Sequence, residues 1–242
     1  MNNYNRPSFL SSIPPVVKNI LFLNIIFWLA SVITPGLFNK FGVNSSLSDL
    51  LGMHYWASAK FNPVQLITYM FMHAGFEHIF FNMFALYMFG GVLESVWGPK
   101  KFLLYYLLTG LGAALVQQIF WTIEFSSAIA EINHVLSLQP SNIIELLQEK
   151  AKFLNMPITV GASGAVFGLL LAFGWLFPEA KLMMLFFPVP IKARIFVVIY
   201  GVTELFLGAA QFPGDHIAHF AHLGGMLFGI ILILYWKRKS TF

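Results

Sequence analysis

The sequence predicts an all-α membrane protein, a bundle of six transmembrane helices with both termini on the cytoplasmic side. Three observations predict it. Of the 242 residues, 58% are hydrophobic and only 10% charged, whereas soluble domains carry about 25% charged residues. The mean hydropathy is +0.74, and six apolar runs approach the roughly 20 residues that a helix needs to cross a hydrocarbon core of about 30 Å. Lys and Arg also fall unequally on the two sides of these runs, as membrane orientation requires.

Taken in order, residues 1–17 form a polar segment holding Pro14 and Pro15, expected to be cytoplasmic and to lack a cleavable signal. The expected spans are 18–34, 70–93, 101–121, 158–177, 190–210 and 216–236, within one membrane domain over 18–236. The second span is the weakest in hydropathy, because His73, Glu77, His78 and Asn82 crowd its first half. The fifth carries Glu204. Two outer loops are long, 35–69 and 122–157. The first, with Tyr55 and Trp56, is expected to lie partly in the interface. The second alternates Ile143, Ile144, Leu146 and Leu147 with Glu145, Gln148 and Glu149, which predicts either a short amphipathic surface helix or a solvated connection without a role. Residues 237–242 make a basic cytoplasmic tail.

With the N-terminus inside, ten basic residues lie inside (Arg6, Lys18, Lys100, Lys101, Lys181, Lys192, Arg194, Lys237, Arg238 and Lys239) and four outside (Lys40, Lys60, Lys150 and Lys152), the bias expected of this orientation. The net charge of +4 is scattered over span ends rather than massed on one face, so it predicts lipid and not nucleic acid as the partner. No cysteine is present, which excludes disulfides, thiolate metal ligands and a cysteine nucleophile. Trp56, Trp97 and Trp236 fit interfacial anchors, and His54, His134 and His216 fit loop or interfacial positions. No repeat, low-complexity tract or soluble domain is evident, and oligomeric state is left open.

Three polar stretches stand inside apolar spans: His73-x4-His78-x3-Asn82, Gly161-Ala162-Ser163-Gly164, and Ala221-His222-x2-Gly225-x3-Gly229. Polar groups there are costly and by default mark a functional site facing the bundle interior. Ser163 lies fifteen residues before Pro178, His222 fifteen before Lys237, His78 sixteen before Glu94 and Asn82 twelve before it. At about 1.5 Å per residue, fifteen residues is about 22 Å, which puts these groups in one layer about 8 Å below the outer surface. Small residues at Gly161, Gly164, Gly168, Ala218, Ala221, Gly225 and Gly229 allow the fourth and sixth helices to touch backbone to backbone. A Ser163–His222 hydrogen bond then becomes feasible. A serine activated by a histidine, with His78, Asn82 and the Ser163 backbone N–H as donors for an oxyanion, is an acyl-transfer arrangement that needs no cofactor.

These three stretches resemble the GxSG, AHxxGxxxG and HxxxxHxxxN motifs of the rhomboid family of intramembrane serine proteases, over roughly residues 60–236. The resemblance implies a six-helix rhomboid-like fold, a Ser163–His222 catalytic dyad without a third acidic member, and oxyanion stabilisation by His78 and Asn82. It implies His73 as a brace for the first loop and the fifth span as a lateral gate. The substrates implied are transmembrane segments of single-span proteins, cut near the outer membrane boundary. Two departures stand out: Phe167 replaces a frequent tyrosine four residues after the serine, keeping a ring to stack on His222 without its hydroxyl. Val64-Gln65 replaces a Trp-Arg pair that anchors the first loop. The extra soluble domain of some relatives is missing from the sequence, and a bacterial-type plasma membrane is the compartment expected.

Other readings compete. His219, His73 and His78 invite a zinc site, but no His-Glu-x-x-His is present, so no metal is expected and His219 reads as a rim residue. Glu204, ten residues from Arg194, is expected near mid-membrane, below the serine and histidine, as a structural or protonated carboxyl bonded to a neighbouring helix. A catalytically silent relative that binds transmembrane segments is the main functional rival. A transporter or channel would require a polar path through the inner halves of the spans, which are apolar.

Overall fold

Lipid offers no partner for backbone N–H and C=O groups, so apolar segments of this length satisfy them internally as helices. The computed structural model describes residues 12–40, 45–138, 143–184, 187–215 and 217–239, with only the backbone of 37–39, 184, 187 and 188. His216, Arg6, most of the expected N-terminal segment and the last three residues of the tail lie outside the described residues. The fold is that of an all-α membrane protein. Its principal helices are α1 (Pro15–Lys40), α2 (Phe76–Trp97), α3 (Pro99–Leu138), α4 (Ile143–Asn155), α5 (Ser163–Leu176), α6 (Ala193–Ala210) and α7 (His219–Arg238). Five of them, α1, α2, α3, α6 and α7, are long and apolar enough to cross a membrane, and α5 is a shorter apolar helix.

Several boundaries depart from expectation. Helix α1 runs on to Lys40 through Pro35, beyond the expected end at residue 34. Residues 69–75 are a 3-10 turn and loop rather than the start of the second span, which begins at Phe76 and contains a π-helical turn at Leu86–Gly90. Helix α3 has 40 residues, about 60 Å at 1.5 Å per residue, so it projects well beyond one hydrocarbon core. Residues 122–138, expected as loop, continue it because they contain no glycine or proline to stop it. Helix α4 folds back on this extension: Phe153 packs edge-on to Phe125 at 5.2 Å, and Lys150 donates to Asn133 at 2.7 Å. The long second loop is therefore a helical hairpin. His134 sits on its exposed face.

Helix α5 is only 14 residues long, about 21 Å, where a full span was expected. The missing first part is extended chain: β2 (Ile158–Thr159) pairs antiparallel with β1 (Met53–His54). A second unexpected pairing, β3 (Lys181–Met184) with β4 (Phe187–Lys192), joins α5 to α6. At its base Glu179 meets Lys192 at 2.7 Å and Arg194 at 3.0 Å. The Lys192 hydrogen bond holds the Glu179 carboxyl below the usual carboxylate range.

Helix α7 is the central packing element, lying against α3 and α5 along most of its length. Around it, Phe102, Tyr105 and Tyr106 of α3 are fully buried. Tyr105 donates to the Gly168 carbonyl at 2.9 Å and Tyr69 to that of Gly110 at 2.8 Å. Trp97 and Trp236, read as interfacial anchors, instead pack edge to face at 5.7 Å, with Trp236 buried and the Lys101 ammonium over its ring. Trp56 is exposed. The N-terminus of α1 is held by Glu94, whose two carboxylate oxygens accept the backbone N–H groups of Val16 (3.0 Å) and Val17 (2.8 Å). Placing an anion on unsatisfied N–H groups at a helix start is favourable.

The first outer loop is firmly held despite lacking the Trp-Arg pair. Gln65 is buried and bonds the His54 and Asn62 N–H groups and the Leu50 and Lys60 carbonyls. Gln118 of α3 bonds the His54 carbonyl at 2.7 Å and the Trp56 N–H at 2.9 Å. His54, expected in a loop or interface, is almost wholly buried here, with Nε2 2.9 Å from the Asp49 carbonyl.

Candidate active site

The truncation of α5 determines where its serine sits. The extended strand reaches Gly161, whose φ of +127° is a region that residues with a side chain rarely adopt. Its N–H donates to the Tyr69 carbonyl at 2.9 Å. The chain then turns into α5, so Ser163 is the first helical residue. Helices leave their first N–H groups without intrahelical partners, and the Ser163 backbone N–H is one of these.

Helix α7 brings the histidine. Gly225 lies on the backbone of Gly164, so closely that a Cβ at 225 would overlap the Gly164 carbonyl. That approach is the small-residue packing expected of the two helices. It places His222, one turn into α7, with Nε2 2.8 Å from Ser163 Oγ. Phe167, one turn below Ser163, stacks on the imidazole with centroids 4.1 Å apart and planes within 6°. Gly229 continues the seam, against the Tyr105 hydroxyl.

Helix α2 supplies the third side. The His78 ring lies over Gly161, with Nε2 2.6 Å and Cε1 2.8 Å from the point a Cβ would occupy. Asn82 is buried on the same face, donates to the His78 carbonyl at 2.9 Å, and lines a cavity with Ser163. His73, in the loop before α2, is buried with its ring edge-on to His78 at 5.0 Å. The cavity, about 500 Å³, is bordered chiefly by α2, α5 and α6 and is lined by apolar residues such as Phe81, Phe167, Met183 and Tyr200. The structure thus gathers Ser163, His222, His78, Asn82, Phe167, Gly161, Gly164 and Gly225 around one point, with His73 just behind, while Gly229 lies farther along the α5–α7 seam.

Two expectations are corrected. Glu204 is not below the serine–histidine layer: its Oε2 is 2.9 Å from His222 Nδ1 and 2.6 Å from His219 Nδ1. The depth count assumed that Arg194 and Lys237 share a level. Helix α6 instead starts right after the β3–β4 hairpin, tied to the end of α5 by Ala193 N–H to the Ala180 carbonyl (2.8 Å), and the inner ends of α6 and α7 are not level. His219 is likewise no rim residue but buried, with Nε2 2.9 Å from Asp215 Oδ2. The signal that could have found both is the cost of an intramembrane carboxylate, which demands a partner. His219 and His222, three apart, share a helix face that offers two.

Glu204, His219 and His222 are also the one group among the described residues whose ligand atoms, all within 4.8 Å, could hold a metal ion. Two imidazoles and a carboxylate suit zinc. Here the same atoms already bond to one another, so a metal would have to displace both hydrogen bonds.

Comparison with known proteins identifies the family. The Rhomboid domain family model matches residues 60–239. The chain is similar to Rhomboid protein 1, mitochondrial, of Saccharomyces cerevisiae, at 29% identity over 170 residues, 70% of this chain and 41% of that protein. It is similar to an uncharacterised mitochondrial rhomboid protein of Schizosaccharomyces pombe (26% over 234 residues, 82% and 56%). RHOMBOID-like protein 6, mitochondrial, of Arabidopsis thaliana matches at 28% over 199 residues, 79% of this chain and 50% of that protein. The chain spans about half the length of these curated relatives. Its motifs, its helical membrane fold and a domain match over most of its length make it a member of the rhomboid family.

Proposed function

We propose that this chain is an intramembrane serine endopeptidase, cutting transmembrane segments of single-span membrane proteins near the outer boundary of the bilayer. The observation that carries the reading is the Ser163 Oγ–His222 Nε2 hydrogen bond of 2.8 Å at the partly buried start of α5. His222 removes the serine proton as Oγ attacks the scissile carbonyl, then returns it to the leaving amine. The oxyanion is met by the Ser163 N–H, His78 and Asn82, and removing one such donor typically costs about 2.7–4 kcal/mol of barrier. A water activated by the same imidazole hydrolyses the acyl-enzyme. Gly161, Gly164, Gly225 and Gly229 set the backbone spacing, Phe167 fixes the imidazole plane, and His73 backs His78.

The apolar cavity of about 500 Å³ beside Ser163 suits side chains of a transmembrane segment entering from lipid. The bilayer and such segments are the partners proposed, and no cofactor is required. The functional unit proposed is the membrane domain 18–236, with both termini cytoplasmic. A bacterial-type plasma membrane is the compartment proposed, with the charge bias at the span ends giving the orientation. The three relatives above are named for mitochondria, and that location is theirs.

The test is cleavage of a reporter transmembrane segment by purified protein in liposomes, with Ser163→Ala, His222→Ala and EDTA arms. Cleavage abolished by either substitution and unaffected by EDTA supports the reading. EDTA-sensitive cleavage that survives Ser163→Ala points to the Glu204–His219–His222 cluster as a metal centre instead. Binding of segments without cleavage, by the wild type, points to a silent relative.

A further inference from the structure

The hydrogen bonds behind His222 go further than a dyad. We propose that Glu204 is a positioning residue for His222, forming a Ser163–His222–Glu204 chain that is itself clamped by His219 and Asp215. The proposal rests on the protease reading above and deepens it.

A carboxylate can only accept hydrogen bonds. The 2.9 Å contact between Glu204 Oε2 and His222 Nδ1 therefore puts the imidazole proton on Nδ1. Nε2 is left with a lone pair, 2.8 Å from Ser163 Oγ, which is the state a general base needs. The opposite tautomer would donate to the hydroxyl and could take no proton from it. The proton position follows from the bonding partners and not from observed hydrogens. When His222 takes the serine proton it becomes a cation in contact with the Glu204 carboxylate, so the stabilisation grows in the transition state.

The second observation is what holds Glu204. Its Oε2 also accepts from His219 Nδ1 at 2.6 Å, and His219 Nε2 faces Asp215 Oδ2 at 2.9 Å. Each ring nitrogen of His219 faces a carboxylate oxygen, Nδ1 that of Glu204 and Nε2 that of Asp215. A buried carboxylate is tolerable when so paired and hydrogen-bonded. Glu204 is 6% exposed and His219 5%, while Asp215 lies at the exposed end of this chain of bonds. Phe167 closes one face of His222. Glu204 comes from α6, His222 from α7 and Ser163 from α5, so the chain of bonds sets three helices in register at the reacting group.

The experiment uses the full chain in lipid nanodiscs, comparing wild type, Glu204→Gln, Glu204→Asp and Glu204→Asn. Two readouts are taken: kcat and KM on a reporter transmembrane segment, and the 15N resonances of His222, assigned by their loss in His222→Ala. Glutamine presents an amide N–H as well as an oxygen, so it can bind the wrong tautomer; the equivalent amide substitution in the serine–histidine–aspartate template lowers kcat by about 10⁴. We expect Glu204→Gln to lower kcat by about 10²–10⁴ with KM within about threefold, and the His222 proton to shift from Nδ1 toward Nε2. Glu204→Asp should retain more activity than Glu204→Asn. If Glu204→Gln does not fold, the Asp and Asn pair, matched in size, asks the same question. A loss of kcat under threefold in the amide variants, or a His222 tautomer unchanged by them, overturns the proposal. If the wild type cleaves nothing while the tautomer still switches, the positioning role stands and the protease reading fails.

Discussion

At Gly161 a single residue joins backbone geometry to chemistry. Its φ of +127° and the His78 ring over its Cα mean that alanine there would be both strained and obstructed. Strain of this type costs about 1–3 kcal/mol. Gly161→Ala is expected to lower the melting temperature and to displace His78, so that kcat falls more than stability alone explains; parallel calorimetry and cleavage assays check this. Phe167 makes a different contribution, as its ring stacks on His222 at 4.1 Å. Aromatic contacts of this kind contribute about 0.5–1.5 kcal/mol, so Phe167→Leu should lower kcat by about tenfold or less, while Phe167→Tyr should be close to wild type. Ser163, His222, His78 and Asn82 were legible in the sequence because three helices present them at matched depths, whereas Gly161 showed as a small packing residue and Phe167 through the family resemblance. Glu204 and Asp215 were not, because a count along each helix cannot know that α6 starts at a different level from α7. The anchoring of the first loop was not legible either: Gln65 stands where a Trp-Arg pair was looked for, and its ties to four backbone groups depend on the folded loop.

The elements reach one another through the seam of α5 and α7. Gly225 rests on the Gly164 carbonyl and Gly164 against Ala113 of α3, so one methyl group at Gly225 must push two helices apart. Overpacking typically costs about 1–3 kcal/mol. Gly225→Ala is therefore expected to lower stability by that order and to lengthen the Ser163–His222 contact, which cleavage rate and thermal denaturation together would show. Farther away, Glu94 holds the start of α1 through Val16 and Val17. Glu94→Gln leaves one oxygen for two N–H groups, and losing a hydrogen bond to a charged group costs about 1.5–3 kcal/mol; denaturation should report this loss with kcat nearly unchanged. Hydropathy found the long helices because their apolar runs exceed a bilayer. It did not find the extension of α3 over 122–138, whose amphipathic sequence resembles a loop in hydropathy though nothing in it breaks a helix. Nor did it find that α5 begins only at Ser163, since strand pairing of Ile158 and Thr159 with the first loop depends on residues about a hundred positions away.

For the whole molecule, an outward-opening site requires α5, α6 and α7 to point their serine, glutamate and histidine ends outward. The absence of any cysteine makes this directly checkable with single introduced cysteines. Lys152→Cys on α4 should react with a membrane-impermeant maleimide from outside intact cells. Glu179→Cys, at the α5–α6 hairpin, should react only after permeabilisation. The reverse pattern would invert the topology and place the site on the cytoplasmic side. The six expected spans appear as five full-length helices and the short α5, and that shortening puts a helix start, with its unpaired N–H groups, at Ser163. The central claim is that Ser163 is a nucleophile made reactive by His222. It is tested most directly by peptide mass spectrometry after treatment with a serine-directed fluorophosphonate in liposomes. The account predicts a single phosphonyl adduct on Ser163 in the wild type and none in His222→Ala. An adduct that forms equally well in His222→Ala, or a wild type that cleaves its substrate while Ser163 remains unmodified at saturating reagent, would contradict it.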